Sequence, residues 1–558
     1  MTIGIYPGTF DPITRGHADV IARSLHVVQQ VVVAVAPNPR KTPLFDLKER
    51  VELAKIVTRD LPGVVVEPFD GLLVEYVRRR GAQAIIRGLR AVSDFEHEFQ
   101  MALLNRKLDQ TLETMFLMAS EEYSYLTSSM VKEVAAVGGP LHDFLHPEVA
   151  TSQNPITNDA IMKLASRTTR ITPSPTLQLS ATVKALVAQG QRVFDFTAGE
   201  PSFDSPDEAK QAAITAIQSG FTKYTAVTGI DELKDAIIEK FQRDQGLIYS
   251  RQQVVVSCGA KHTLFNLALA LFETGDEVII PAPYWVSYPE QILVADATPV
   301  FLPTSEAKNY AIDLSALQAI ITKRTKAIIL NSPCNPTGSM YDQETLEGIA
   351  ALAIQHNLLV ISDEIYEKMV YDGRQHCSIA TVHPDMVHHT VIVNGVSKTY
   401  SMTGWRIGYA AGPEPILKAM GNIQSQSTSN PSSIAQKAAV GALQGGLQFI
   451  ELMVKELDIR RRAIVEGLNH ISGIHCPMPA GAFYAFPNVA NLLGRRFQDK
   501  VLATPFDLAN FFLNEAKVAC VPGEPFGTDT HLRFSYTGPL EVIEEGLQHL
   551  AQSIEKLE

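Results

Sequence analysis

Two hydrophobic periods alternate along the first part of the chain. Short apolar runs, IGIY (3–6), VVVAVA (31–36), VVVE (64–67), AIIRG (84–88) and MFLM (115–118), have the length of buried strands. Between them DLKERVELAKIVTRDL (46–61) places Leu47, Val51, Ala54, Val57 and Leu61 at helical spacing. LLVEYVRRR (72–80) and DFEHEFQMALLNRKL (94–108) read the same way, with further helices expected from about His17 and from about Ser128. Strand and helix in strict alternation predict an α/β domain with a doubly wound parallel sheet over 1–150. Ligands of such sheets bind beyond the carboxyl ends of the strands, where helix N-termini attract anions.

The texture changes near residue 163. FDFTAGEPSFDSPDEA (194–209), VVVSCGAKHTLFNLALALF (254–272), EVIIPAPYWVSYPE (277–290), KAIILNSPCNPTG (326–338), LLVISDEIYE (358–367) and VIVNGVSKTYSMTGWRIGYAAG (391–412) are strands that end in Gly, Pro or polar clusters. IDELKDAIIEKFQRDQG (230–246) is an amphipathic helix. This is a second and larger α/β pattern. The stretch between the two, EVATSQNPITNDAIMKLA (148–165), is polar and Pro-containing, as a short exposed connector over 151–161 would be.

Composition narrows the function classes. At 558 residues, 46% hydrophobic and 19% charged, several ordinary globular domains are expected. A net charge of −12 disfavours a nucleic-acid or anionic-membrane binder. MTIGIYPGTF lacks the charged and apolar regions of a signal peptide, and no apolar run reaches membrane-spanning length. Five cysteines (258, 334, 377, 476, 520) without paired spacing suit free thiols, so a cytoplasmic location is expected.

Chemistry-bearing residues gather at predicted strand ends. The first strand runs into PGTFDPITRGH (7–17), where His17 lies at a helix N-terminus, able to donate to a phosphate; a lone helix-capping histidine has the same local pattern. Lys41 follows the second strand, Arg87, Gly88 and Arg90 the fourth, and YSYLTSSMVKE (123–133) the fifth. Three cationic sites, a His and a Ser pair at successive strand ends suit a polyphosphate, and the absence of GxxxxGK[ST] excludes a P-loop.

GTFDPITRGHADVI, RKTPLF, IIRGLRAVSDFEHEFQMALLNR and YSYLTSSMVKEVA resemble bacterial phosphopantetheine adenylyltransferases almost end to end over about 1–150. The resemblance implies a nucleotidyltransferase domain that moves AMP from ATP to 4′-phosphopantetheine, giving dephospho-CoA and diphosphate, with Mg²⁺ accompanying ATP and no metal held by the protein alone. It further implies that Thr9, Phe10, His17, Gly88, Leu89, Arg90, Glu98 and the segment Tyr123, Ser124, Tyr125, Leu126, Thr127, Ser128, Ser129 hold ATP. Thr9, Lys41, Leu73 and Arg87 would hold phosphopantetheine, and His17 would stabilise charge on the α-phosphate. His97 stands where the family often has an aromatic residue.

In the larger part, Asp363 and Tyr366 follow one buried strand, Lys398 another, and Arg406 comes eight residues later. A buried carboxylate there calls for a cation; read singly, Asp363 also fits a helix N-cap, Lys398 a solvated lysine and Asn335 a turn. Together a lysine, a carboxylate, a hydroxyl, an amide and an arginine match what pyridoxal phosphate needs. AGEPSFDSP, GAKHTLFNL, PYWVSYPE, NSPCNPTG, SDEIYE, SKTYSMTGWRIGY, GAFY and HLRFSY resemble class I aspartate aminotransferases over about 162–558. The resemblance implies a fold-type I transferase, with a large α/β domain over about 205–450 and a smaller α+β domain from the N-terminal arm and about 451–558. Lys398 becomes the Schiff-base lysine and acid/base, Asp363 the partner of the pyridine nitrogen, and Tyr366 and Asn335 the partners of the phenolic oxygen. Trp285 would stack on the ring, while Gly259, Ala260 and Arg406, with Tyr224 from a partner subunit, would hold the phosphate. Arg533 beside Gly199 would take the substrate α-carboxylate. Lys261 and Thr176 match the branch that recognises a distal carboxylate, so aspartate and 2-oxoglutarate are the expected amino-acid and 2-oxo-acid substrates, with prephenate as a further acceptor. Gly395, three residues before the lysine, departs from the serine of better-known branches, so that phosphate contact must be absent or replaced.

The whole chain is thus expected to be a bifunctional, homo-oligomeric enzyme, dimeric through its aminotransferase half. Two other readings exist: one half as a non-catalytic regulatory or scaffold module, and two adjacent genes read as one product, since Met162 resembles an aminotransferase start. The intact mass of the native protein separates the last from the first.

Overall fold

A computed structural model describes residues 2–37, 45–89, 92–123, 126–128, 130–132, 141, 144–150, 165–172 and 175–558. The chain divides into two compact units, Met1–Ala165 and Ser166–Glu558. The expected connector at 151–161 lies outside the described residues.

In the first unit the five apolar runs form β1 (Ile3–Gly8), β2 (Gln30–Val35), β3 (Val64–Pro68), β4 (Ala84–Leu89) and β5 (Glu113–Met118). They pair in the order β3-β2-β1-β4-β5, all parallel. The pleat explains the continuous apolar runs. Val31, Val33, Val35 and Ile86 pack on helices α1 (Arg15–Ser24) and α2 (Leu47–Thr58), while Val32, Ala34, Ile5 and Ile85 pack on α3 (Leu73–Arg79). Both faces are covered, as a parallel sheet requires. The strand order reverses between β1 and β4, which places a crevice past their carboxyl ends. Asp46 and Glu49 cap α2 reciprocally, and Thr14 and His17 do the same for α1.

In the second unit seven strands are ordered β7-β13-β12-β11-β10-β8-β9, where β7 is Val254–Ser257, β8 Glu277–Ala282, β9 Thr298–Pro303, β10 Thr325–Asn331, β11 Leu359–Asp363, β12 Thr390–Gly395 and β13 Gly408–Ala411; β6 (Phe194–Asp195) pairs elsewhere. Only β13 among these seven runs antiparallel to its neighbours. Val254, Val256, Ile392 and Tyr409 face the helices Asp231–Gln245 and Ser433–Gly445; Val255, Val391, Val393 and Ala410 face Ala260–Leu271 and Glu414–Ser425. The C-terminal residues form a separate core around the strands Tyr484–Ala485, Val521–Pro522 and Leu532–Ser535, with the helices Leu447–Asn469 and Leu540–Ile554. Among the described residues no helix is long and apolar enough to cross a membrane.

The glycine at 395 has a packing cause. It pairs with Gly408 in the β12–β13 ladder, and a Cβ on it would lie 2.9 Å from the Ile407 carbonyl oxygen and 3.0 Å from Gly408 Cα. Gly408 in turn leaves room for the Ala260 backbone, 2.2 Å from where its own Cβ would be. Gly395→Ser should therefore cost about 1–3 kcal/mol of stability by overpacking, read as a lower urea midpoint at unchanged slope.

Candidate functional site

The β1/β4 crevice of the first unit is built by the loop after β1. Phe10 has φ +47° and its ring is buried against Tyr6 and, edge-on at 5.3 Å, His17. The ring proposed to touch a nucleotide is thus committed to holding the histidine. His17 Nδ1 accepts from the Thr14 backbone N–H at 3.0 Å and lies 2.8 Å from Thr14 Oγ1. That acceptor role puts the ring proton of a neutral imidazole on Nε2. Arg87 pairs with Glu98 (Nε–Oε2 3.2 Å) and reaches the Pro7 carbonyl at 3.5 Å, so two residues assigned to different substrates meet at one strand end. Gly88 is tight against Val20 and the Tyr6 hydroxyl, and Leu89 is buried at the end of β4. Thr9 and Leu73 are half-buried, and Leu73 opens α3. Ser128 Oγ donates to the Pro12 carbonyl at 2.8 Å, Thr127 Oγ1 accepts from Met130 N, Leu126 is core, and Tyr123 is half-buried. Lys41, Arg90, Ser124, Tyr125 and Ser129 lie outside the described residues.

Arg50 carries no signal in its amphipathic helix, yet it organises this crevice. Its buried guanidinium donates to the carbonyls of Thr9 (2.7 Å), Ala36 (2.8 Å) and Phe45 (3.0 Å), drawing the loops after β1 and β2 onto α2. Burial lowers its pKa, against the raising effect of Asp11 and Asp46.

The second unit gathers its polar groups past the carboxyl ends of β7, β8, β10, β11 and β12. Asp363, 4% exposed, ends β11; its Oδ2 accepts from the Tyr288 hydroxyl at 2.6 Å and Oδ1 from Ile365 N at 3.3 Å. Burial pushes its carboxyl up to about 6. Lys398 follows β12 and donates to the Gly199 carbonyl. Burial lowers its ammonium to about 8, Glu200 opposing and Arg533 and Arg406 assisting. Asn335 lies between Asn331 Oδ1, which accepts from its N–H at 2.8 Å, and Arg533 Nη1, which donates to its Oδ1 at 3.0 Å. Arg533 is 3% exposed, lies between the rings of Tyr484 (4.6 Å) and Phe526 (5.0 Å), gives Nη2 to the Thr197 carbonyl, and among the described residues has no hydrogen-bond partner for Nε. Tyr366 shares a 2.9 Å hydroxyl–hydroxyl bond with Tyr484, and burial raises its pKa well above that of an ordinary tyrosine.

Gly259, with φ +94°, precedes the helix Ala260–Leu271, and a Cβ there would lie 2.4 Å from Arg406 Nη2. The glycine lets a guanidinium approach a helix N-terminus, an arrangement suited to a phosphate. Lys261 sits 5.1 Å from the Trp285 ring, and Trp285 meets Tyr288 edge-on at 5.3 Å. Tyr224 is 91% exposed. Thr176 lies in the first turn of the helix Pro175–Ala188.

Residues 191–550 match the family described as aminotransferase class I and II, more than half of the chain. The chain belongs to that family. Aspartate aminotransferase from Geobacillus stearothermophilus is 46% identical over 397 residues, 71% of this chain and 99% of the relative. Aspartate/prephenate aminotransferase from Nitrosomonas europaea is 44% identical over 393 residues, covering 70% and 99%. The crystal structure of the Rhizobium meliloti aspartate aminotransferase superposes with a TM-score of 0.69 at 41% identity, covering 71% of this chain and all of that one (100%). Residues 5–134 match the family described as cytidylyltransferase-like, so the N-terminal part is a nucleotidyltransferase-like domain.

Class I aminotransferases imply pyridoxal phosphate, and the residues fit it. A buried carboxylate with a raised pKa suits a protonated ring nitrogen, and Gly259, Ala260 and Arg406 form a cradle that a single Cβ would fill. Tyr288 and Tyr484 were not singled out from the sequence. Tyr288 follows Trp285 by three residues, the spacing that puts two side chains on one helical face, and the motif GAFY ends in Tyr484. Tyr288→Phe removes a hydrogen bond to a buried carboxylate and should cost about 1.5–3 kcal/mol at neutral pH, seen as a lower unfolding midpoint that converges on the parent as Asp363 protonates below pH 6.

Proposed function

We propose that the chain is a bifunctional transferase. Residues 1–150 transfer AMP from ATP to 4′-phosphopantetheine, residues 162–558 transaminate aspartate with 2-oxoglutarate, and 151–161 connect them. The aminotransferase half works as a dimer to which Tyr224 of each copy contributes.

For the first half, the observation that carries the reading is a histidine fixed at a helix N-terminus beside the strand-order reversal, with Arg87 at the end of the neighbouring strand. Nucleotidyl transfer needs positioning and charge neutralisation more than covalent chemistry. The Nε2–H of His17 stabilises charge on the α-phosphate by hydrogen bonding as the phosphopantetheine phosphate attacks. Thr9, Phe10, His17, Gly88, Leu89, Arg90, Glu98 and the segment 123–129 hold ATP with its Mg²⁺; Thr9, Lys41, Leu73 and Arg87 hold the acceptor. His17→Ala should lower kcat by about 10²–10³ with smaller changes in KM, measured as diphosphate release; near-parent turnover would refute the role.

For the second half, the convergence of Lys398, Asp363 and a buried Arg533 with an unspent Nε carries the reading. Pyridoxal phosphate, when bound, supplies an electron sink for charge developing at the substrate Cα. Lys398 moves the Cα proton; an amine brought down to about 8 is a competent base near neutral pH. Asp363 would keep the ring nitrogen protonated, Asn335 and Tyr366 would hold the phenolic oxygen, and Trp285 would cover the ring. Arg533 takes the α-carboxylate in a site from which Tyr484 and Phe526 exclude water.

Lys261 supports a dicarboxylic substrate: among the described residues it has no ion-pair partner and lies against the Trp285 ring, and burial and Arg406 lower its pKa. The relatives named for aspartate and for aspartate/prephenate both favour this class, with prephenate a second acceptor. Lys398→Ala should reduce transamination of aspartate with 2-oxoglutarate by at least about 10²–10⁴ while leaving the circular dichroism unchanged. Parallel assays of the parent with oxaloacetate and prephenate define the range, and inactivity toward prephenate removes that acceptor.

A further inference from the structure

A second buried carboxylate lies directly behind Asp363. Successive residues at a strand end point to opposite faces. Asp363 meets Tyr288, whose helix packs on one face of the large sheet, whereas Glu364 meets Gln245, at the end of a helix on the other. Glu364 is 0% exposed; Ser362 Oγ (2.9 Å) and Ser378 Oγ (2.5 Å) donate to Oε1 and Gln245 Nε2 (2.9 Å) to Oε2, and the His376 ring lies beside Oε2, Nε2 at 3.1 Å, without making a hydrogen bond. These are three of the roughly four bonds a carboxylate can accept, and the same Gln245 amide also donates to Glu367 Oε2 at 2.9 Å. The neighbouring charges form a network around it, and Lys240 acts on Glu364 as well as on Glu367. Lys240 closes on Glu367, and Asp244 takes Lys368 at 3.0 Å and Arg243 at 2.9 Å. Glu364, Glu367 and His376 offer ligand atoms within 4.8 Å of one another, but the ammonium of Lys240 already supplies the cation. The transamination chemistry described above uses none of these groups.

We propose that Glu364 is a positioning residue for transamination: locked by hydrogen bonds from Ser362, Ser378 and Gln245, its fixed negative charge one residue behind Asp363 tightens the hold of Asp363 on the ring-nitrogen proton. The proposal deepens the transamination reading and rests on it for the role of Asp363. Burial alone would protonate Glu364, but His376, Ser378 and Lys240 outweigh it and keep its carboxyl down at about 2. Asp363 rises by burial first, with Tyr288 and Lys398 opposing and Glu364 adding. The other titratable groups facing the pair are Tyr366 and Cys334 on the Asp363 side, and Tyr249, Tyr409, Cys377, Lys240 and, through Gln245, Glu367 on the Glu364 side; burial keeps the tyrosines and cysteines neutral near pH 7.

The test is made on the full chain without cofactor, so it does not depend on turnover. Aspartate γ-carboxyls are labelled with ¹³C, the Asp363 signal is assigned with Asp363→Asn, and its titration midpoint is followed. Glu364→Gln should move that midpoint down by about one pH unit, the effect of a unit charge at this range in a protein interior. Gln245, whose Oε1 has no hydrogen-bond partner among the described residues, can turn its amide to accept from the new N–H. Ser378→Ala keeps the charge and removes one bond, and should leave the midpoint within about 0.3 unit of the parent, well inside the effect of a unit charge. An unmoved midpoint in Glu364→Gln, or equal shifts in both variants, would overturn the proposal. Should Glu364→Gln not fold, Glu364→Gln with His376→Leu leaves no opposed donors, and a midpoint that stays in place there overturns it equally. Failure of the transamination reading would show separately, as a parent enzyme inactive on every amino donor.

Discussion

Burying ionised groups without leaving them unpaired is the constraint on which the larger unit depends. Asp363, Lys398 and Arg533 all lie in a region that water does not solvate well, and each is tied to the frame by neutral or backbone partners: Tyr288, Gly199 and Asn335. Those ties hold position without cancelling charge. The carboxyl rises, the amine falls, and the guanidinium keeps one N–H unspent. Groups so held gain more from a charged ligand than solvated ones do. The same logic explains the aromatic walls: Tyr484 and Phe526 solvate the Arg533 cation through their ring faces while excluding competing water.

The smaller unit solves an analogous problem with less burial. Its donors sit at helix starts and strand ends, where unsatisfied N–H groups already favour anions. Arg50 adds the buried element. One guanidinium collects three carbonyls from the two loops after β1 and β2, so the geometry there is set by a buried side chain. Thr14 and His17 show economy of another kind, because the cap that starts α1 also fixes the tautomer of the proposed catalytic ring.

Glycines mark where backbone must meet backbone or a cation. Gly259 admits Arg406, and the Gly395–Gly408 pair admits the start of the phosphate-side helix. The departure at Gly395 is thus tied to strand spacing: β12 and β13 approach too closely there for a side chain, and a serine contact at that position would have required a wider ladder. Sheet packing and cofactor cradle are one constraint at this point.

Much of this was legible in the chain itself. Apolar runs bounded by turns and alternating with 3.6-residue periods fixed the parallel sheets, since a strand covered on both faces needs apolar residues at every position. Strand-end clusters located Asp363, Lys398, Arg406 and His17, because parallel sheets place ligands at their carboxyl ends. Local patterns could not show which side chains meet across the fold. Arg50, Tyr288, Tyr484 and Glu364 each read as an ordinary helix or strand residue, and their partners lie 41, 75, 118 and 119 positions away. Spacing encodes which face a residue takes, whereas partner choice, burial and the resulting shifts in proton affinity arise only when distant segments close around the same point.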